Sequence, residues 1–222
     1  MKRLTDFLTK TYTAPKSKKR TKILNECVLD VFKEDNPQYS CLNWKCEHIV
    51  RDAYNTKNKD ENGEWDDTWT FHKKYGRFQV DSAGLDENDI PKIILLNKSL
   101  NSNVLQNVFN YPNTSLGEAD RLLLGPHRND IEQLIFVTMH PNKTPYFYEN
   151  GNVKKIENVT ARLEWADPSE MLFEKYGDKI KVIKYTYDIN ELNEYMHKSQ
   201  FQSGITISNL QKYESTFSRR LY

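Results

Sequence analysis

Two residues invite a chemical reading before anything else in the chain. Asp81 sits in FQVDSAGL, and Lys98 ends the apolar run IILLNK. An acid buried among Val80, Ala83 and Leu85 is costly unless it is paired or holds a cation. A Lys at the end of an apolar strand can run its stem along the strand and keep its ammonium free. A carboxylate and an ammonium brought together at a sheet end suit phosphodiester hydrolysis. Carboxylates hold a hard cation that keeps several waters, the cation lowers the pKa of a bound water, and a Lys orients that water or balances developing charge. Side chains alternate along a strand, so Lys98 shares a side with Leu96 and Ile94 while Asn97 faces the other way. If the two strands pair across the acidic turn 85 to 91, Asp81 and Lys98 meet on one face.

The elements that would position them follow from periodicity. RTKILNECVLDVFKED, residues 20 to 35, places Ile23, Leu24, Cys27, Val28, Val31 and Phe32 on one helical face, and Pro37 ends the helix. Residues 41 to 54 carry a weaker helical pattern, and 54 to 67 read as a loop. Residues 68 to 85 predict a strand, a turn at Tyr75-Gly76 and a second strand, with a further strand over 92 to 98. SLNSNVLQNVFNY reads as helical, and residues 115 to 125 as a short helix with Ser115 as N-cap, Glu118 in the capping-box position and Gly125 as the stop. QLIFVTMH predicts a buried strand, Asn150-Gly151 a hairpin, and 167 to 177 a helix capped by Asp167. KIKVIKYTYDI predicts a strand and INELNEYMHK a closing helix. The succession is that of an α/β sheet flanked by helices, one domain over residues 20 to 200. A polar tail is expected over 201 to 222.

VDSAGL, a short turn, IILLNKS and then an Asn/Gln-rich helix resemble the PD-(D/E)XK nuclease superfamily, across residues 76 to 111. The resemblance implies a restriction-endonuclease-like mixed central sheet flanked by helices. By position, Asp81 matches the metal-binding Asp and Lys98 the catalytic Lys. Gln106 resembles the Gln that follows the Lys in some branches. The triplet here reads Leu96-Asn97-Lys98, so its acid is missing, and a Leu cannot ligate a cation. Acids in this superfamily sometimes migrate. Glu26, on the first helix, is the first candidate replacement, and Glu118 the second. Glu47 is a third. The implied cofactor is Mg²⁺ or Mn²⁺, held by Asp81 with Glu26 or Glu118.

Charge distribution bears on partners. Residues 1 to 22 hold eight basic residues against Asp6, a balance of +7, so a chain of net +1 leaves −6 for the rest. A basic arm over residues 1 to 19 on an acidic body suits contact with a polyanion. Lys18, Lys19, Arg20, Arg121 and Arg128 are the expected phosphate contacts, and DNA is the expected partner, with a homodimer or a protein partner as further options. Cys27, Cys41 and Cys46 with His48 offer poor zinc spacing and read as reduced thiols. No apolar run is long enough for a membrane span, and the first residues lack the apolar core of an export signal, so a cytoplasmic protein is expected. No Walker A, Rossmann or serine-hydrolase motif occurs. Two functions stay open: an endonuclease whose acid has moved, and a nuclease fold that only binds DNA or protein.

Overall fold

The structure is a computed structural model that describes residues 2–13, 18–52, 76–99, 110–148, 150, 152–165, 167–190 and 206–217 of the 222-residue chain. Two helices, α1 (Lys2–Thr13) and α2 (Lys18–Asp35), precede an antiparallel meander of β1 (Asn43–Asp52), β2 (Gly76–Leu85) and β3 (Pro91–Ser99). Helix α3 (Tyr111–Leu123) leads to β4 (Gln133–Pro141), and β5 (Lys143–Phe147) and β6 (Val153–Asn158) form a separate hairpin. Helices α4 (Val159–Trp165) and α5 (Ser169–Tyr176) lead to β7 (Ile180–Ile189), and β8 (Ile207–Thr216) follows. The six-stranded sheet has the order β1-β2-β3-β4-β7-β8. Strands β3, β4 and β7 run parallel, and the others pair antiparallel.

Central parallel strands are covered on both faces, which is why IILL and LIFVTM are almost unbroken apolar runs. Odd residues of β3, Ile93 and Leu95, join a core with α1 and α2, while Ile94 and Leu96 join a second core with α3 and α5. The stripe on α2 is built from Leu24, Val28, Val31 and Phe32, whereas Ile23 is exposed. Asn25 lies on that same stripe and is only 1% exposed. The acidic turn 86 to 90 closes on the Asp86 carboxylate, which accepts from the backbone N–H groups of Asn88 and Ile90.

Several sequence expectations need correction. Residues 43 to 52 form a strand rather than a helix. Trp44 and Cys46 pack on the α2 side of the sheet and Val50 on the α3 side. The face changes around Glu47, whose φ of 52° breaks the alternation and leaves apolar residues at near-helical spacing. The first residues are not a free arm: α1 buries Leu4, Phe7 and Leu8, an i, i+3, i+4 stripe, and Arg3 reaches Asp30 of α2 at 2.8 Å. The expected polar tail contributes β8, held beside β7 with Ile207 buried. Gly76 lies in β2 rather than in a turn. Helix α3 starts at Tyr111, so Ser115 and Glu118 sit inside it and make no capping box. The loop 54 to 67, the strand expected before Tyr75, residues 100 to 109 of the helix expected over SLNSNVLQNVFNY and most of INELNEYMHK lie outside the described residues. The β5–β6 hairpin, β4 and β7 fall where the sequence placed them.

Candidate active site

Asp81 lies where β2 and β3 part. Their pairing runs from Leu85 opposite Pro91 to Ser82 opposite Leu95, and no pair follows among the described residues. Instead the Asp81 side chain enters the fork, and the backbone N–H of Asn97 donates to its Oδ2 at 2.6 Å. Asn25 of α2 donates from Nδ2 to Asp81 Oδ1 at 3.0 Å, and Asn97 Nδ2 donates to Asn25 Oδ1 at 3.0 Å. Two side-chain bonds and the Asn97 backbone N–H join the three residues in a triangle. Burial pushes the Asp81 carboxyl above its ordinary value. The Asn97 N–H, the Asn25 amide and Lys98 pull it down, Glu118 pushes it up, and burial prevails.

Lys98 does not pair with Asp81, as the expected two-strand geometry had it. Its ammonium meets Glu118 Oε1 at 2.8 Å, with the two side chains 32% and 16% exposed. The reason is the fork: Asn97 faces α2 and Lys98 faces α3, so Lys98 meets the acid that α3 presents. The second oxygen, Glu118 Oε2, is buried without a hydrogen-bond partner, and so is Asn97 Oδ1. Leu96 is 3% exposed within the α3-side core. Lys98 thus meets Glu118 from α3, while Asp81 from β2 is held by the backbone of its neighbour Asn97, on the strand that lacks its triplet acid.

The other expected residues are placed as follows. Glu26 is exposed on α2, and its neighbour Asn25 faces the site. Gln106 lies outside the described residues. Lys18, Lys19 and Arg20 form the first turn of α2. Arg121, one turn beyond Glu118, stacks over the Phe78 ring at 4.4 Å. Arg128 is exposed in the loop before β4, where its carbonyl accepts from Lys179. Cys27, Cys41 and Cys46 are free thiols, and burial raises the Cys27 and Cys46 pKa values. Asn25 and Asn97 were not among the expected side chains. An Asn on a buried helical stripe was the signal for the first.

Among the described residues no group of three or more His, Cys, Asp or Glu is arranged to hold a metal ion. Carboxylate oxygens are the donors that a hard cation takes; Glu118 Oε2 is buried without a partner, whereas both Asp81 oxygens already accept hydrogen bonds. The two carboxylates do not fit a structural zinc. No helix among the described residues is long and apolar enough to cross a membrane. No protein-family model matches this chain, and neither the curated proteins nor the solved structures give a match.

Proposed function

We propose that this chain is a metal-dependent endonuclease of restriction-endonuclease-like architecture, whose second acid is Glu118 on α3 in place of the triplet position now held by Leu96. The observation that carries the reading is the Lys98–Glu118 pair at 2.8 Å, one residue along β3 from the Asn97 N–H that binds Asp81. Support also comes from the element order: a helix, an antiparallel three-strand meander, a helix and a strand parallel to the third.

In this reading Asp81 and Glu118 would hold Mg²⁺ or Mn²⁺, which supplies a water of lowered pKa and offsets charge on the phosphoryl group. Lys98 orients the attacking water. Its link to Glu118 fixes the ammonium in place before substrate arrives, so little reorganisation is left for the reaction itself. The Asn25 amide and the Asn97 N–H keep the Asp81 carboxylate in one orientation.

The test is cleavage of supercoiled and single-stranded DNA by purified protein in Mg²⁺ and in Mn²⁺. Lys98→Ala and Glu118→Gln should each slow cleavage by about a hundredfold or more. No cleavage by folded wild type in either metal would overturn the enzyme reading. The binding-module reading would then take its place. The closed Asn25–Asp81–Asn97 triangle favours it, since it satisfies both Asp81 oxygens without a cation.

A further inference from the structure

Register across the parallel strands lines up side chains on the face that α3 covers. Ile94, Leu134 and Ile180 form one row, and Leu96, Phe136 and Val182 the next; all six are buried. The third row is Lys98, Thr138 and Lys184. At this register, near the carboxyl ends of the parallel strands, the two outer positions of the row become charged, while Thr138 between them stays 3% exposed. The carboxyl ends are where open α/β sheets take their ligands. Lys184 has its own carboxylate, Asp167, much as Lys98 has Glu118. Lys184 and Asp167 are each 24% exposed, so solvent reaches this pair as it reaches the first. One row further on, His140 and Thr186 lie opposite each other, 2% and 3% exposed. Both His140 ring nitrogens and Thr186 Oγ1 are buried without a hydrogen-bond partner. Unpartnered buried groups of this kind cost stability.

We propose that the third row is an anion track, in which Lys184 holds a phosphate of a polynucleotide strand next to the phosphate at Lys98. The inference rests on the endonuclease reading for the role of Lys98, and it adds a second contact two strands away. Backbones at positions 98 and 184 are two strand spacings apart, about 9.6 Å, and two flexible Lys stems can converge on neighbouring phosphates across that gap. A polynucleotide is favoured over a single small anion because the row offers two separate ammoniums in line. When all are ionised, Asp81, Glu118 and Asp167 outnumber Lys98 and Lys184 by one. The track should therefore accept a polyanion only once a divalent cation has turned the local balance positive.

The experiment compares wild type with Lys184→Met/Asp167→Asn, which removes the pair without leaving either charge alone. Binding of a labelled DNA oligonucleotide would be followed by anisotropy over a range of salt, with Ca²⁺ as the oxygen-seeking cation. Loss of one phosphate contact should lower the slope of log affinity against log salt by about 0.9 on duplex or about 0.7 on single-stranded DNA. The same relation gives about fivefold weaker binding near 0.15 M salt. An unchanged slope and affinity would overturn the proposal while leaving the endonuclease reading intact. A reduced slope in a protein that never cleaves would sustain the track and sink the hydrolysis. No binding by wild type, with Ca²⁺ or without, would overturn both. Should the double variant fail to fold, lysine acetylation of wild type with and without oligonucleotide decides the matter. The track requires protection of both Lys98 and Lys184, and an unprotected Lys184 refutes it.

Discussion

Replacing Asp81 with Asn should make the folded protein more stable at neutral pH while abolishing the proposed cleavage. The sign comes from the fork. Burial raises the Asp81 pKa above its ordinary 3.8 despite two hydrogen bonds and the nearby Lys98. A group that binds its proton more tightly when folded contributes fully below the unfolded pKa, and that contribution is lost as pH rises through the folded pKa. At pH 7 the ionised carboxylate therefore counts against the fold, and Asp81→Asn removes the charge. The triangle can absorb the new amide. Its oxygen takes the Asn97 N–H, and its NH₂ needs an acceptor, which Asn25 provides by turning its own amide over. Asn97 turns in the same way and offers Asn25 the Oδ1 that now lacks a partner. The three hydrogen bonds persist, and the loss is limited to the charge assistance in two of them, about 1 kcal/mol each. The pKa is raised with these hydrogen bonds already opposing the shift, so the net effect should be a gain on the order of 1 kcal/mol, or about 2–4 °C in Tm for a chain of this size. Thermal melts from pH 7 downward would show the gap closing as pH approaches 3.8. Added Mg²⁺ should raise the Tm of wild type and not of the variant. A variant that melts below wild type at pH 7 would refute the argument, because it would mean that the hydrogen bonds and Lys98 outweigh burial.

The remaining expectations concern neighbouring positions. Lys98→Met leaves Glu118, 16% exposed, without its cation and should cost about 2 kcal/mol, whereas Glu118→Gln keeps an acceptor and should cost about 1 kcal/mol. Combining the two should recover part of the loss, and a double-mutant cycle in urea measures the coupling. Leu96→Glu restores the acid of the triplet in sequence only. Leu96 is 3% exposed against the α3-side core, so the variant should lose about 3 kcal/mol or more and gain no activity. A stable, faster Leu96→Glu enzyme would show that the second acid had not moved to Glu118. His140, pushed down to about 4 by burial first and by Lys184 second, binds its proton less readily when folded. Stability should therefore fall as pH drops from 6.5 to about 4, by up to about 3 kcal/mol. His140→Leu should flatten that part of the pH–stability curve.

Much of the fold is legible in local pattern. The α2 stripe, the apolar β3 and β4, the Asn150-Gly151 hairpin and the turn closed by Asp86 each depend on neighbours within a few residues. β1 is not legible, because the change of face at Glu47 gives a strand the spacing of a helix. Nor is β8, whose half-polar sequence forms a strand because β7 supplies its partner. The first thirteen residues show their charge more plainly than the Leu4-Phe7-Leu8 stripe that buries them. In the candidate site Asp81, Lys98 and Glu118 stand out by type. The partnerships do not: capping-box spacing hides Glu118, and Asn25 is 56 residues from Asp81.

The sequence by itself determined the candidate residues Asp81 and Lys98 and the strands that carry them, because alternation and apolar runs are properties of a short stretch of chain. It also determined that position 96 cannot ligate a cation. Tertiary structure alone decided which acid meets Lys98. Where β2 and β3 part, successive residues of β3 face opposite helices, and Lys98 takes the carboxylate that α3 brings within 2.8 Å. It also decided that Lys98, Thr138 and Lys184 form one row, since register between parallel strands is set by packing of both sheet faces and by nothing local to any one of them.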